Sequence, residues 1–201
     1  MMEAVIFVLV GYLLGAISFS YIITKKIKKI DIRQHGSGNA GATNTLRVLG
    51  KGPAIFVLLL DVLKGVIPVV FQLLWVGPGL VPVLAGLGAI IGHNWPIYYG
   101  FKGGKGVATT IGVLFTLVSL PTLVAGVIAI LAIVVTRFVS LGSLLFVFMT
   151  TIFTYFFLEA YPIDYLYLTI IVAILSFWRH RANIIRLIQG NESKIGQKKV
   201  T

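Results

Sequence analysis

Long apolar runs dominate this sequence, and polar residues are confined to the stretches between them. The first run, residues 4–23, is about as long as the ~20 residues that a helix needs to cross a bilayer. Hydrophobic residues make up 58% of the chain and charged residues only 11%, whereas soluble domains carry about 25% charged residues. The chain is therefore predicted to be a polytopic membrane protein, and the soluble class is excluded.

The apolar runs predict an all-α integral membrane protein with seven transmembrane helices in a single domain, residues 1–201. No Lys or Arg precedes the first run, so it is expected to be retained as a helix and not cleaved as a signal peptide. Gly11 and Gly15 form a small-residue face suited to close helix packing. The fourth and fifth helices are short, and a shallow re-entrant hairpin is the alternative for that pair. The helices are expected at about residues 4–24, 53–76, 80–99, 105–120, 122–137, 143–159 and 165–180.

Positive charge is distributed asymmetrically along the chain. Of the 17 Lys and Arg residues, all but Lys64 lie in alternate connections and in the C-terminal tail. The positive-inside rule then predicts an outside N-terminus and a cytoplasmic C-terminus. The net charge of +11 is accordingly assigned to topology and small anionic ligands, and no nucleic acid partner is expected. The topology brings four polar segments to one cytoplasmic face, where they are able to build one site: residues 25–52, 93–106, 137–143 and 179–201.

The most polar of these segments is residues 36–52, which read GSGNAGATNTLRVLGKG. Its glycines permit positive φ or close approach of the backbone to a ligand. A short helical pattern at 42–49 follows, with Gly50 as its stop. The N–H groups at a helix N-terminus favour anions, and Arg47 and Lys51 add positive charge. This segment is predicted to bind phosphate at a membrane surface; the alternative is a solvated linker with a basic face.

A second glycine- and lysine-rich stretch, residues 100–106, follows the third predicted helix. It does not match a nucleotide P-loop, because Lys105 is followed by Gly106 and not by Ser or Thr. Lys102 and Lys105 bracket two glycines just before a helix. That arrangement suits a second phosphate or another oxyanion.

The predicted cytoplasmic segments are rich in cations and poor in acids, with only Asp31 and Glu192. Because the chain has no Cys, thiolate metal sites and cysteine nucleophiles are excluded. Three His residues without clustered acids do not indicate a metal site, and no metal or cofactor is predicted. The inventory suits a reaction of anionic substrates with a good leaving group, in which cationic groups orient the reactants and stabilise developing charge.

Asp61 and Lys64 are charged residues deep within the second predicted helix. Their i,i+3 spacing places them on one helix face, where they are predicted to pair. Charges at this depth face protein or water and not lipid. A structural ion pair and a functional role both remain open.

Four blocks of the sequence, SGNAGATNTLRVLGKG, GHNWPIYYGFKGGKGVATTIG, RFVSLGS and RHRANIIRL, closely resemble the bacterial acyl-phosphate:glycerol-3-phosphate acyltransferase family (PlsY type). The resemblance extends over nearly the whole chain. It implies transfer of a fatty acyl group from acyl phosphate to the 1-hydroxyl of sn-glycerol 3-phosphate. The products would be lysophosphatidic acid (1-acyl-glycerol 3-phosphate) and phosphate, in phospholipid biosynthesis. It also implies a multi-pass protein of the bacterial plasma membrane, in contact with membrane lipid, with its active site facing the cytoplasm; a monomer is expected.

The same resemblance implies roles for individual residues. The catalytic residues are expected to be Ser37, Arg47, Lys105 and His180. The substrate-binding residues are expected to be Gly38, Asn39, Thr43, Asn44, His93, Lys102, Ser143 and Asn183. In the mechanism proposed for the family no protein base acts, and a phosphate on a bound substrate helps to take the hydroxyl proton. The HxxxxD box of other glycerol phosphate acyltransferases is missing, since no His is followed by Asp five residues later.

Two other functions would also use a polar cytoplasmic face. An anion transporter would need polar residues deep in several helices, often in paired halves, and this sequence has only Asp61 and Lys64 at depth and no internal repeat. A lipid phosphotransferase of the CDP-alcohol type would need several aspartates for divalent metal, which the predicted cytoplasmic segments lack.

Overall fold

The computed structural model describes residues 2–197, with side chains from residue 5 onward, so residues 198–201 of the predicted tail lie outside the described residues. The described chain contains α-helices and short 3-10 turns, which confirms the all-α prediction. Its helices are α1 (Met2–Gly15), α2 (Phe19–Lys28), α3 (Ala42–Leu49), α4 (Lys51–Trp75), α5 (Leu80–Asn94), α6 (Val107–Leu117), α7 (Ser119–Thr136), α8 (Val139–Phe156), α9 (Ile163–Arg179) and α10 (Arg181–Ile188).

The helices form two compact units, Met1–Leu117 and Val118–Thr201. In the first unit α1 packs on α5, and α4 packs on both α5 and α6. In the second unit α8 packs between α7 and α9, and α10 contacts α8 and α9. Each unit carries its own share of the predicted site residues.

Five segments of the described chain are long and apolar enough to cross a membrane: Val5–Lys28, Lys51–Trp75, Leu80–Tyr99, Ser119–Thr136 and Val139–Phe156. The α9–α10 pair, bent by 62°, makes a sixth if it is counted as one span. By contrast α6 has 11 residues, which is about 16 Å of helix against a hydrocarbon core of about 30 Å. Length and composition therefore support five or six of the seven predicted spans, and α6 is not among them.

The prediction of one continuous helix over residues 4–24 is wrong, because the chain leaves the helix at residues 16–18. Ser18 has extended backbone angles (φ −93°, ψ 90°). Lys64 Nζ donates a hydrogen bond of 2.7 Å to the carbonyl of Ile17. A helix break within a membrane segment needs such a partner, and the pattern of one helix does not reveal a donor supplied by another.

Two prolines that were expected at or next to helix ends lie within the first turn of a helix. α4 begins at Lys51, two residues before Pro53, and α7 begins at Ser119, two residues before Pro121. The first N–H groups of a helix have no intrahelical partner, so the N–H that proline lacks is not missed there. The chain turns at Val118 instead (φ −133°, ψ 63°). The boundaries predicted around Pro121 are consequently three residues too late.

Glycines let α1 and α5 pack backbone against backbone. A Cβ on Gly11 or Gly15 would collide with the backbone of α5, and a Cβ on Gly88 or Gly92 would collide with the backbone of α1. The close-packing face predicted at Gly11 and Gly15 is therefore confirmed. This contact holds the end of α5, and the polar segment that follows it, in a defined position on α1.

Candidate anion-binding site

The first loop, residues 36–41, is held from inside by a side chain of α3. Asn44 is 1% exposed. Its Oδ1 accepts a hydrogen bond from the backbone N–H of Ser37 (2.9 Å), and its Nδ2 donates to the carbonyls of Ile32 (3.1 Å) and His35 (2.9 Å). Asn44 thus shapes the loop, and its direct contact with substrate stays a prediction.

The shape of this loop depends on two glycines with positive φ, Gly36 (63°) and Gly38 (73°). A side chain on Gly36 would also collide with Asn44 Oδ1. Gly38 and its neighbour Ser37 are exposed. The predicted helix at 42–49 is confirmed as Ala42–Leu49, and it is followed by Gly50 with φ 89°. The loop therefore runs into a helix N-terminus, where backbone N–H groups favour an anion.

The cations beside the loop fall into two groups. Arg33 is committed to the protein, because it forms an ion pair of 2.7 Å with Asp31 and donates a hydrogen bond of 2.8 Å to the carbonyl of Tyr99. The hydrogen bond from Arg33 holds the pKa of Asp31 below its ordinary value, and the same bond raises the pKa of Arg33. Arg47 and Lys102 are exposed, and within the part of the chain that the structure describes neither has an ion pair or hydrogen bond. These two cations remain available to an anionic ligand.

The second loop, residues 100–106, meets the first. The backbone N–H of Gly104 donates a hydrogen bond of 3.1 Å to the carbonyl of His93. A Cβ on Gly104 would lie 2.6 Å from the carbonyl oxygen of Ala40 and would strike the His93 ring. Only glycine allows the two loops to approach so closely, and the next residue, Lys105, lies beside their contact.

Behind the second loop lies a buried group of ionisable side chains. His93 Nδ1 lies 3.7 Å from Asp61 Oδ1, and the same oxygen lies 2.8 Å from Lys64 Nζ, which confirms the predicted pairing of Asp61 with Lys64. The exposed fractions are 1% for Asp61, 4% for Lys64 and 7% for His93. The sequence placed Asp61 deep in a helix but contained no signal that it reaches His93.

The second unit contains three more of the predicted site residues. Ser143 lies in α8 and donates a hydrogen bond to the carbonyl of Val139 (2.9 Å). The predicted loop at 137–143 is therefore largely helical, since α8 begins at Val139. His180 is buried between α9 and α10, with Nδ1 2.8 Å from the carbonyl oxygen of Ser176. A carbonyl only accepts hydrogen bonds, so Nδ1 carries a proton.

Asn183, the third of these residues, binds a protein carboxylate. Glu192 accepts hydrogen bonds from Asn183 Nδ2 (2.6 Å), Ser140 Oγ (2.8 Å) and Arg186 Nε (2.7 Å). Burial raises the pKa of Glu192, but these hydrogen bonds outweigh burial and hold the pKa below its ordinary value. The sequence did not indicate this arrangement; the one available signal was a single acid in a basic tail. Contact between Asn183 and substrate stays a prediction.

Asn39 and Thr43, the remaining predicted residues, are partly buried in the first loop and the first turn of α3. The described residues contain no group of three or more His, Asp or Glu side chains arranged to hold a metal ion. Asp31 and Glu192 are each bound to an arginine. Both are therefore held as ionised, paired carboxylates.

A helical protein with apolar segments of membrane-spanning length belongs to the class of integral membrane proteins. In this protein, two glycine-rich loops that meet beside exposed cations form a candidate anion site. A narrower assignment comes from known proteins. The family described as glycerol-3-phosphate acyltransferase matches residues 5–190. The chain belongs to this family, in its PlsY type, and the resemblance seen in the four sequence blocks is confirmed.

Individual relatives agree with this assignment. The chain is 68% identical to a glycerol-3-phosphate acyltransferase of Halalkalibacterium halodurans and 64% identical to one of Shouchella clausii, in each case over 95% of both chains. Among solved structures, it is similar to PlsY (YgiH), an integral membrane glycerol 3-phosphate acyltransferase. The glycerol 3-phosphate form of that protein has 39% identity and a TM-score of 0.90, and the lysophosphatidic acid form has 38% identity and a TM-score of 0.88, each over 96% of both chains.

Proposed function

We propose that this protein transfers a fatty acyl group from acyl phosphate to the 1-hydroxyl of sn-glycerol 3-phosphate, releasing lysophosphatidic acid and inorganic phosphate. Both substrates are anions, and the observation that carries the proposal is the pair of exposed cations, Arg47 and Lys102, beside two touching glycine-rich loops. Support for the acceptor comes from the solved relative, which has a glycerol 3-phosphate form and a lysophosphatidic acid form.

In this proposal the phosphates bind to cations and to backbone N–H groups. Arg47 and Lys105 hold and neutralise phosphate oxygens, because a guanidinium and an ammonium form strong charge-assisted hydrogen bonds to phosphate. Ser37 and His180 complete the catalytic set by donating or accepting at the reacting groups. Binding and orientation of the two substrates are assigned to Gly38, Asn39, Thr43, Asn44, His93, Lys102, Ser143 and Asn183.

The chemical step is an attack of the 1-hydroxyl oxygen on the acyl carbonyl carbon. A new C–O ester bond forms, and the C–O bond between the carbonyl carbon and the phosphate breaks. The phosphate group leaves with the bond electrons, and the hydroxyl proton passes to a phosphate oxygen of a bound substrate. Positive charge from Arg47 and Lys105 stabilises the charge that develops on the carbonyl and phosphate oxygens.

A phosphate acceptor for the proton is favoured by the state of the two carboxylates in the predicted cytoplasmic segments. Asp31 and Glu192 are paired with arginines, and both have a pKa below the ordinary value. A carboxylate held in this way is a weak base. Phosphate leaves an acyl phosphate readily, so no strong acid is required either.

We also propose the membrane arrangement that the distribution of Lys and Arg predicts. The protein lies in the bacterial plasma membrane as a monomer, with seven spans in all, an outside N-terminus and a cytoplasmic C-terminus. Because α6 is too short to cross the bilayer alone, it forms a span only if its flanking residues extend it or if the bilayer is locally thinner. Glycerol 3-phosphate enters from the cytoplasm, and the acyl chain lies in the apolar layer.

The test is an assay of detergent-purified protein with acyl phosphate and glycerol 3-phosphate in the presence of a metal chelator. We expect phosphate and lysophosphatidic acid to be released in equal amounts, and the K105A variant to lose transfer while remaining folded. Lys26, an exposed cation that is not among the proposed site residues, provides the matched control K26A. The proposal is overturned if acyl-CoA or acyl-carrier protein supports transfer and acyl phosphate does not.

A further inference from the structure

Asp61, in the middle of α4, belongs to none of the four polar segments, yet its carboxylate reaches the histidine that supports the second loop. Its Oδ1 lies 3.7 Å from His93 Nδ1. This separation is longer than a direct hydrogen bond, so the interaction is electrostatic. Two residues in contact at 1% and 7% exposure are weakly screened by solvent, and a carboxylate there has a strong effect on which ring nitrogen carries the proton.

The other edge of the same imidazole faces the contact between the two loops. A Cβ on Gly104 would strike His93 Nε2 and lie 2.6 Å from the carbonyl oxygen of Ala40. The His93 carbonyl also accepts the Gly104 N–H at 3.1 Å. The ring therefore lies between a buried carboxylate on one edge and the Gly104–Lys105 segment on the other.

Lys64 explains how the carboxylate is kept in place. Its Nζ lies 2.8 Å from Asp61 Oδ1, donates a hydrogen bond of 2.7 Å to the carbonyl of Ile17, and lies 5.6 Å from the centre of the Phe19 ring. These contacts leave Lys64 and Asp61 little freedom to move. A carboxylate fixed in this way is able to orient a histidine ring beside it.

We infer that Asp61 is a positioning residue for the reaction: it places the proton of His93 on Nδ1 and orients the ring, so that Nε2 is presented to the Gly104–Lys105 segment. The inference rests on the proposed function for its effect on catalysis. The proton is assigned to Nδ1 because the negative charge of the nearby carboxylate favours an N–H over a lone pair on the closer ring nitrogen.

The first experiment measures the proton directly. The chain has only three His residues, so protein labelled with ¹⁵N-histidine gives three sets of ring signals, and H93Q identifies the set of His93. We expect His93 to be protonated on Nδ1 in the unaltered protein. In D61N the Nδ1 signal should shift toward a mixture of tautomers. This measurement needs no substrate, so it decides the link between Asp61 and His93 even if acyl phosphate proves not to be the donor.

The second experiment is a double-mutant cycle with acyl phosphate and glycerol 3-phosphate. We expect D61N to lower kcat/KM for glycerol 3-phosphate at least tenfold in the unaltered background and less than twofold in the H93Q background. A purely structural role would give the same fold-loss in both backgrounds. The variant Q72L, at another buried polar residue of α4, should leave kcat/KM within twofold.

If D61N yields too little folded protein, D61N/K64M removes the unbalanced buried lysine and takes its place in the cycle. An unchanged His93 signal, or equal fold-losses in the two backgrounds, would overturn the inference. If the unaltered protein shows no activity with acyl phosphate, that result would instead count against the proposed function. The ¹⁵N signals of His93 would then be the only test of the inference.

Discussion

The first loop and the C-terminal tail are both polar segments next to apolar helices, but their charged groups are used in opposite ways. Beside the first loop, Arg47 and Lys102 are exposed and have no protein partner among the described residues. In the tail, Asn183 and Arg186 donate to one buried carboxylate, Glu192, which also accepts a hydrogen bond from Ser140 of α8. The first loop leaves positive charge that a ligand is able to pair with, whereas the charged groups around Glu192 pair with one another.

In the proposed function, this difference separates exposed cations that are available to bind substrate from a carboxylate whose contacts stabilise the fold. An exposed cation without a partner contributes little to stability, since even a surface salt bridge is worth only about 0–1 kcal/mol. A buried carboxylate with three donors contributes more, because each group left unpaired would cost about 1–3 kcal/mol. Substitutions in the two segments should therefore have different signatures, and three experiments test this.

The largest effect is expected from R47A. Loss of one positively charged group that stabilises the transition state lowers kcat by about 100-fold or more. The free energy of unfolding should change by less than about 0.5 kcal/mol, because an exposed side chain without a partner is removed. Phosphate release and the thermal unfolding midpoint in detergent measure the two quantities, with K26A as the control. A large fall in stability would show that Arg47 has a structural role and would remove the contrast with Glu192.

E192Q is expected to have a smaller effect, and to change stability and not transfer. Glutamine keeps one acceptor for Ser140 and Asn183, but its NH₂ group then faces Arg186 Nε, so two donors meet. We expect the free energy of unfolding to fall by about 2 kcal/mol, the cost of breaking a charge-assisted hydrogen bond in a buried site. The exposed acid Glu159 provides the control E159Q, which should leave stability unchanged. If E192Q has the same free energy of unfolding as the unaltered protein, the structural role of this carboxylate is contradicted.

The smallest effect is a dependence of stability on pH. The pKa of Glu192 is lower in the folded protein than its ordinary value of 4.5. Below about pH 4.5 the unfolded chain therefore binds more protons, and stability is lost as the pH falls through the folded pKa. The stability difference between the unaltered protein and E192Q should narrow from pH 7 to about pH 3.5. The measurement is the unfolding midpoint of both proteins across this pH range. A stability difference that stays constant with pH would contradict the prediction.

Much of the fold could be predicted because its signals are local. Apolar length, glycine spacing and the short helix after the first loop all lie in contiguous sequence, and the structure confirms the helix at Ala42–Leu49 and the packing face at Gly11 and Gly15. The break at residues 16–18 was missed, since Lys64 supplies its hydrogen bond from 47 residues away. The late boundaries around Pro121 came from treating a first-turn proline as a helix breaker.

The candidate site was predictable in composition but not in connectivity. Glycine and cation patterns identified both loops, yet nothing in the sequence showed that Gly104 approaches Ala40. Asn44 was assigned to substrate by resemblance, although its amide holds the loop. Asp61 and His93 are 32 residues apart in sequence, and only the packing of α4 against α5 brings them together.

The helix break at residues 16–18 of the first span has a consequence for how the protein is inserted into the membrane. The carbonyl of Ile17 is synthesised well before its hydrogen-bond donor, since Lys64 follows 47 residues later. A backbone carbonyl without a partner is costly in lipid. The first span thus completes its hydrogen bonding only when α4 arrives beside it during biosynthesis. The two spans are therefore expected to leave the insertion machinery as a pair, with the ammonium of Lys64 neutralised by Asp61 on entry.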